Sequence, residues 1–210
     1  MGRTRIKICG IKDTETALVA ARAGADAVGF IFAKNSPRYI DPDDAQDIMF
    51  ALPPMVASVG VFMNHSPDAF TDIEESCPTT HTQLHGNEDE RVVQQCGPAI
   101  KAIRYGESTI AADIKRWAGC EDVEALLIDG PTPGEGITFK WELLPPLLAG
   151  VEIPVFLAGG LTPENVAEAI RIVRPYGVDV SSGVESSRGV KDHRLIEKFC
   201  EAVRRADLTS

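Results

Sequence analysis

An alternation constrains this chain more than any other feature. Short apolar runs of strand length are each followed by a turn and then by a stretch with helical spacing, about eight times over. The runs cover residues 5–10, 27–32, 56–62, 82–86, 99–104, 125–130, 154–157 and 177–180. Few polar residues alternate within them, as expected of parallel strands covered by helices. Asp13 or Thr14 can cap the first helix, Asp41-Pro42 opens the second, Ser66-Pro67 the third, and Asn87 or Glu88 the fourth. Further helices run through Ile110, Ile114 and Trp117, and over residues 141–148. Residues 190–205, with Leu195, Ile196, Phe199 and Val203 on one face, read as a closing amphipathic helix. The expectation is an α/β chain, one domain over residues 1–210, folded as a single (β/α)8 TIM barrel near its minimum length. An open doubly wound sheet would want Gly-x-Gly-x-x-Gly after the first strand, and none is there.

Composition narrows the partners. The formal net charge of -10 opposes a nucleic-acid partner, and it requires any site for a small anion to be locally positive. No apolar run approaches the roughly 18 residues that would span a membrane, and no segment suits a secretory signal. Five cysteines, an odd set without a Cys-x-x-Cys pair, argue against a disulfide framework and against zinc. These features predict a cytoplasmic protein with reduced thiols and no membrane partner. No dimerisation pattern is visible, so a monomer is the default.

Two strand ends carry donor-rich turns. The run 154–157 ends in Ala158-Gly159-Gly160-Leu161, with Thr162 placed to cap a helix and Pro163 at its first position. The run 177–180 ends in Ser181-Ser182-Gly183. Backbone N–H groups at such turns suit a phosphate, which in TIM barrels sits beside the last two strands. Other reactive side chains at strand ends are Cys9, His85, Arg104 and Asp129, and Arg38 follows the second strand on a loop. A thiol and a carboxyl at one barrel mouth suit proton transfer at two ends of a small substrate. Each also has a plainer reading: Cys9 as a small buried apolar group, Asp129 as a strand-end cap, Arg38 as a solvated loop charge, His85 as a structural residue. The clustered ligands of a catalytic metal and a dinucleotide fingerprint are both missing, so no metal and no cofactor are expected.

Lys7-Ile8-Cys9-Gly10, Ser36-Pro37-Arg38, Val59-Gly60-Val61-Phe62, Gln83-Leu84-His85-Gly86, Lys101-Ala102-Ile103-Arg104, Ala158-Gly159-Gly160-Leu161 and Asp179-Val180-Ser181-Ser182-Gly183 resemble, in the same order, the signature set of the phosphoribosylanthranilate isomerase family. The resemblance covers essentially the whole chain. It implies a TIM barrel of tryptophan biosynthesis and a cofactor-free Amadori rearrangement. The substrate would be N-(5-phosphoribosyl)anthranilate, a small phosphorylated aminosugar, and the product 1-(2-carboxyphenylamino)-1-deoxyribulose 5-phosphate. It implies Cys9 as general base at C2, Asp129 as general acid at the ring oxygen, and Arg38 on the anthranilate carboxylate. Gly159, Gly160, Ser181, Ser182 and Gly183 match the phosphate site, and His85 is the further substrate-binding candidate.

Two expectations follow from spacing. Lys7 lies two residues before Cys9 and Asp179 two before Ser181, so the pair should meet beneath the site, with Lys7 favouring the Cys9 thiolate. The loop after the sixth strand departs from the family pattern, with Glu135 between Gly134 and Gly136 where a small hydroxyl residue is usual. The alternatives are a histidine-pathway or dual-substrate aminoaldose isomerase, and a non-catalytic barrel that binds a sugar phosphate. The first would use an aspartate in place of Cys9 and a second phosphate turn after the fourth strand. The second needs neither Cys9 nor Asp129.

Overall fold

A computed structural model describes residues 2–131 and 138–209. Its eight main strands are β1 (Arg5–Cys9), β2 (Ala27–Ile31), β3 (Ala57–Phe62), β4 (His81–Leu84), β5 (Ala99–Arg104), β6 (Val123–Asp129), β7 (Val155–Leu157) and β8 (Gly177–Val180). They pair in parallel in chain order, and β8 returns to β1, which closes the barrel. Outside them pack α1 (Thr14–Ala23), α2 (Pro42–Ala51), α3 (Pro67–Ser76), α4 (Glu90–Cys96), α5 (Ile110–Ala118), α6 (Leu144–Leu148), α7 (Val166–Val173) and α8 (His193–Leu208). The expected (β/α)8 TIM barrel is the fold found. Glu135, Gly134 and Gly136 lie outside the described residues.

Local chemistry sets the element ends. Asp13 caps α1 by accepting from the Thr16 N–H, and Gly24 ends that helix at φ 97°. Asp41 and Ser66 cap α2 and α3, each ahead of a proline in the first turn. The fourth helix starts later than expected: Asp89 caps it, rather than Asn87 or Glu88. Glu88 is committed inward, where it accepts from Lys101 Nζ at 2.8 Å and from the Asn64 N–H at 2.8 Å.

Two further boundaries differ from expectation. The helix after Thr162 starts later than expected: α7 begins at Val166, while Thr162 Oγ1 accepts from the Glu164 N–H at 3.2 Å and its own N–H bonds to Asn165 Oδ1 at 2.8 Å. A Thr-Pro pair satisfies a turn as well as a helix start, and here the Asn165 side chain closes the turn by also donating to Gly160 O. The last helix begins at His193, capped by Asp192. Residues 190–191 belong instead to a small antiparallel hairpin, β9 (Glu185–Ser187) with β10 (Val190–Lys191). Gly189 turns it at φ 83°, a conformation that breaks helical spacing.

Strand periodicity divides the core into two layers. Residues such as Ile6, Ile8, Phe30 and Leu126 point outward and are covered by helices, with Phe199 and Val203 of α8 among the groups that seal them. Val59, Ile100, Ala102, Ala125, Leu127 and Ala158 fill the barrel interior. Continuing the inward positions of β1, β6 and β8 by two residues reaches Cys9, Asp129 and Ser181 at the C-terminal mouth. Among the described residues, no helix is long and apolar enough to cross a membrane, and all five cysteines are free thiols.

Candidate active site

The mouth opens into a cavity of about 910 Å³. Cys9, Arg38, His85, Asp129, Gly159, Gly160, Ser181, Ser182 and Gly183 all line it. Nine positions drawn from five separate strand ends and one loop therefore converge on one space. Arg104, in register with Asp129 at the end of β5, is exposed and is not among the residues that line the cavity.

Cys9 is buried at the end of β1, opposite Gly29 of β2 in register. The glycine is required by space: a Cβ there would stand 2.8 Å from Cys9 Sγ and 3.2 Å from Lys7 Nζ. One layer below, Lys7 faces Asp179 across the β1–β8 register, and Lys7 Nζ donates to Asp179 Oδ1 at 2.8 Å. This is the pair expected from spacing. Burial alone would lower the Lys7 ammonium, but Asp179 and Cys9 more than offset that and hold its pKa above the ordinary value. The expected effect on Cys9 is overcome. Burial pushes the thiol up, Lys7 and Lys191 pull it back, Asp179 adds to the rise, and the net position is above an ordinary thiol.

Asp129 ends β6 with Oδ1 accepting from the Gly130 N–H at 2.8 Å. Its Oδ2 lies 3.0 Å from His85 Nε2, and His85 Nδ1 lies 2.7 Å from Gln83 Nε2. With the Gln83 amide donating, Nδ1 accepts and Nε2–H faces the carboxyl. His85 therefore lines the cavity and also orients Asp129. Gln83, fully buried inside the barrel, leaves its Oε1 without a partner among the described residues. Below the same strand end, Lys101 Nζ donates to Gly86 O at 2.9 Å and to Glu88, which braces the loop that carries His85.

The two turns expected to take a phosphate stand side by side. Gly159 and Gly160 adopt φ 82° and 67°, and a Cβ on Gly159 would collide with the Gly130 backbone. Ser181, Ser182 and Gly183 lead into a single 3-10 turn, Ser182–Val184, whose Gly183 packs against the Leu161 carbonyl too closely for any side chain. The helix start expected directly after Gly160 is displaced to Val166, whereas the turn at Ser182 begins directly after the Ser181 strand end.

Arg38 is neither a solvated charge nor an isolated one. Its guanidinium is buried and forks onto Glu185 of β9, with Nε to Oε1 at 2.7 Å and Nη2 to Oε2 at 2.9 Å. The Glu185 contact raises the Arg38 pKa above its ordinary value. Lys191 of β10 completes the cluster, donating to Glu185 Oε1 at 2.8 Å and to Ser181 O at 2.9 Å. Burial would raise the Glu185 carboxyl, yet Arg38, Lys191 and the Gly189 N–H together bring it down to about 2. Burial lowers the Lys191 ammonium below its ordinary value despite Glu185. Two cations against one anion leave the cluster formally positive within an acidic chain, as a site for a small anion requires. Sequence reasoning missed Glu185 and Lys191, because the region read as the start of a helix. The Gly189 turn signal was the only clue.

Fold and cavity together define a TIM-barrel enzyme with its working groups at the strand ends. Comparison with known proteins makes this specific. The family model described as "PRAI: N-(5'phosphoribosyl)anthranilate (PRA) isomerase" matches residues 6–202. The N-(5'-phosphoribosyl)anthranilate isomerase of Hahella chejuensis is 46% identical over 209 residues, covering 97% of this chain and 95% of its own. The crystal structure of phosphoribosyl anthranilate isomerase from Thermotoga maritima superposes with a TM-score of 0.88 at 40% identity, covering 96% of this chain and 99% of that one. A further crystal structure of this isomerase is a complex with reduced 1-(o-carboxyphenylamino)-1-deoxyribulose 5-phosphate, with a TM-score of 0.86 at 38% identity and coverage of 96% and 99%. The chain belongs to the phosphoribosylanthranilate isomerase family. It is an isomerase of the aldose–ketose type, of tryptophan biosynthesis.

Proposed function

We propose that this barrel converts N-(5-phosphoribosyl)anthranilate to 1-(2-carboxyphenylamino)-1-deoxyribulose 5-phosphate with Cys9 as base and Asp129 as acid. The observation that carries this reading is the convergence of Cys9, Arg38, Asp129 and both glycine turns on one cavity. In this reading the phosphate rests on the N–H groups around Gly159, Gly160, Ser182 and Gly183, with the Ser181 and Ser182 hydroxyls beside it. Arg38 meets the anthranilate carboxylate, a planar anion suited to a guanidinium. With both ends fixed, the ribose lies between β1 and β6, three strands apart round the ring.

Asp129, oriented by His85, donates its proton to the furanose oxygen, and the ring opens to a protonated Schiff base. That cation acidifies the C2 proton, which Cys9 removes to give an enaminol. The enaminol tautomerises to the aminoketose, and the proton lost at C2 is balanced by one gained at C1. Lys7 supports the Cys9 anion from below. C1 is reduced as C2 is oxidised within one molecule, so no external oxidant, reductant or group acceptor is needed and side chains suffice. All of these groups come from one chain, so the unit proposed is a monomer acting on a small phosphorylated substrate. Five free thiols fit a reducing, cytoplasmic setting.

The test is the loss of anthranilate-type fluorescence from freshly made phosphoribosylanthranilate, without added metal. Cys9→Ala and Asp129→Asn should each lower kcat by about 10²–10⁴-fold while the fold is retained. Robust turnover in folded Cys9→Ala would place the base elsewhere.

A further inference from the structure

The hairpin between β8 and α8 contributes no expected catalytic group, yet three of its residues converge on the site. Glu185 holds Arg38 by its Nε–Nη2 edge. Gly189 donates its N–H to Glu185 Oε2 at 3.0 Å, and a Cβ at Gly189 would stand 2.6 Å from Pro37 O, so the turn rests on the residue just before Arg38. Lys191, opposite Glu185 in the hairpin register, neutralises that carboxylate and also binds Ser181 O and Oγ. Ser181 Oγ in turn donates to Cys9 O at 3.1 Å. All three charged side chains are nearly fully buried, with exposures of 4–6%.

We propose that Glu185 and Lys191 are positioning residues that fix the Arg38 guanidinium and thereby set the preference for a substrate bearing an aromatic carboxylate. The inference rests on the reading that Arg38 meets that carboxylate. An arginine on a loop would otherwise spend rotamer entropy on each binding event; a two-point fork removes that cost beforehand. The fork uses a carboxylate that would repel the incoming one, and Lys191 is what makes it tolerable. Without Lys191 the cluster falls from a formal charge of plus one to zero. The hairpin thus couples the proposed carboxylate anchor to the strand ends that carry Ser181 and Cys9.

The test measures dissociation constants for two probes: reduced 1-(o-carboxyphenylamino)-1-deoxyribulose 5-phosphate, and the same compound lacking the ring carboxylate. Their ratio isolates the carboxylate contribution, and thermal melts confirm folding of each variant. Wild type should prefer the carboxylate by about tenfold or more, and Arg38→Met should bring the ratio near one. Glu185→Gln should lower the ratio by about fivefold or more, with affinity for the probe lacking the carboxylate changed by no more than about twofold. A merely structural role would weaken both probes alike. If Glu185→Gln fails to fold, Lys191→Met carries the test, with a fall in the ratio in the same sense. A folded variant that keeps the wild-type ratio, or loses both probes equally, overturns the inference while leaving the Arg38 reading intact. A ratio near one in wild type, or one preserved in Arg38→Met, overturns both.

Discussion

In the proposed mechanism the Cys9 thiol is asked for chemistry in a place that disfavours its anion. Burial raises it, and Lys7 and Lys191 recover only part of the loss. A base must be unprotonated, so kcat/KM should rise with pH through neutrality, with its acid limb on the alkaline side of an ordinary thiol. Lys7→Met removes the nearest compensating charge and leaves Asp179 to raise the thiol further. The limb should then move to still higher pH and kcat/KM at pH 7 should fall, while iodoacetamide modification of Cys9 slows. A pH profile that is identical in Lys7→Met and wild type would mean that Lys7 acts on the fold alone. Gly29 belongs to the same argument, since its missing side chain is what leaves space for Sγ.

At the scale of the element, the β9–β10 hairpin carries its own acid sensitivity. The Glu185 carboxyl has an ordinary value of 4.5 and lies near 2 when folded. On acidification the unfolded chain therefore takes up this proton first, so the contribution is complete above about 4.5 and is lost as pH falls toward 2. Glu185→Gln should be less stable than wild type at pH 7, and the gap should narrow across that window, as read by thermal melts at fixed ionic strength. This element was also the least legible in the sequence. Cys9, Asp129 and Ser181 could be placed because each ends an apolar strand, and a period of two fixes its direction. Glu185 and Lys191 meet only because a strand of three residues turns back at Gly189. So short a strand shows no periodicity, and its apolar Val190 merged with the helix that follows. Thr162-Pro163 misled only in position: Thr162 caps a turn closed by Asn165, and α7 follows from Val166.

For the whole molecule, the barrel shape was readable from alternation alone, whereas the β1–β8 seam that closes it also holds a buried ion pair that spacing could suggest but not weigh. Removing one member strands a charge, so Lys7→Met should cost about 3–5 kcal/mol. Replacing both, Lys7→Met with Asp179→Leu, should cost markedly less than the sum of the single changes, as a double-mutant cycle on denaturant unfolding would measure. Additive costs would show that the two side chains stabilise the barrel separately. The outer seal joins the same two regions: Thr4 of the segment before β1 binds the Asp207 carboxylate of α8 through its N–H at 2.9 Å and its hydroxyl at 2.6 Å.

The register of Lys7 with Asp179, 172 residues apart, also has a meaning in time. A ribosome delivers Lys7 and Cys9 well before Asp179 and Ser181. Until β8 has left the exit tunnel, the early strand has an ammonium to bury with no anion to receive it, and the thiol has no neighbour at Ser181. A nascent chain therefore cannot settle its first strand ahead of its eighth, and a product truncated before Gly177 should be a substrate for chaperones and proteases rather than a slower enzyme.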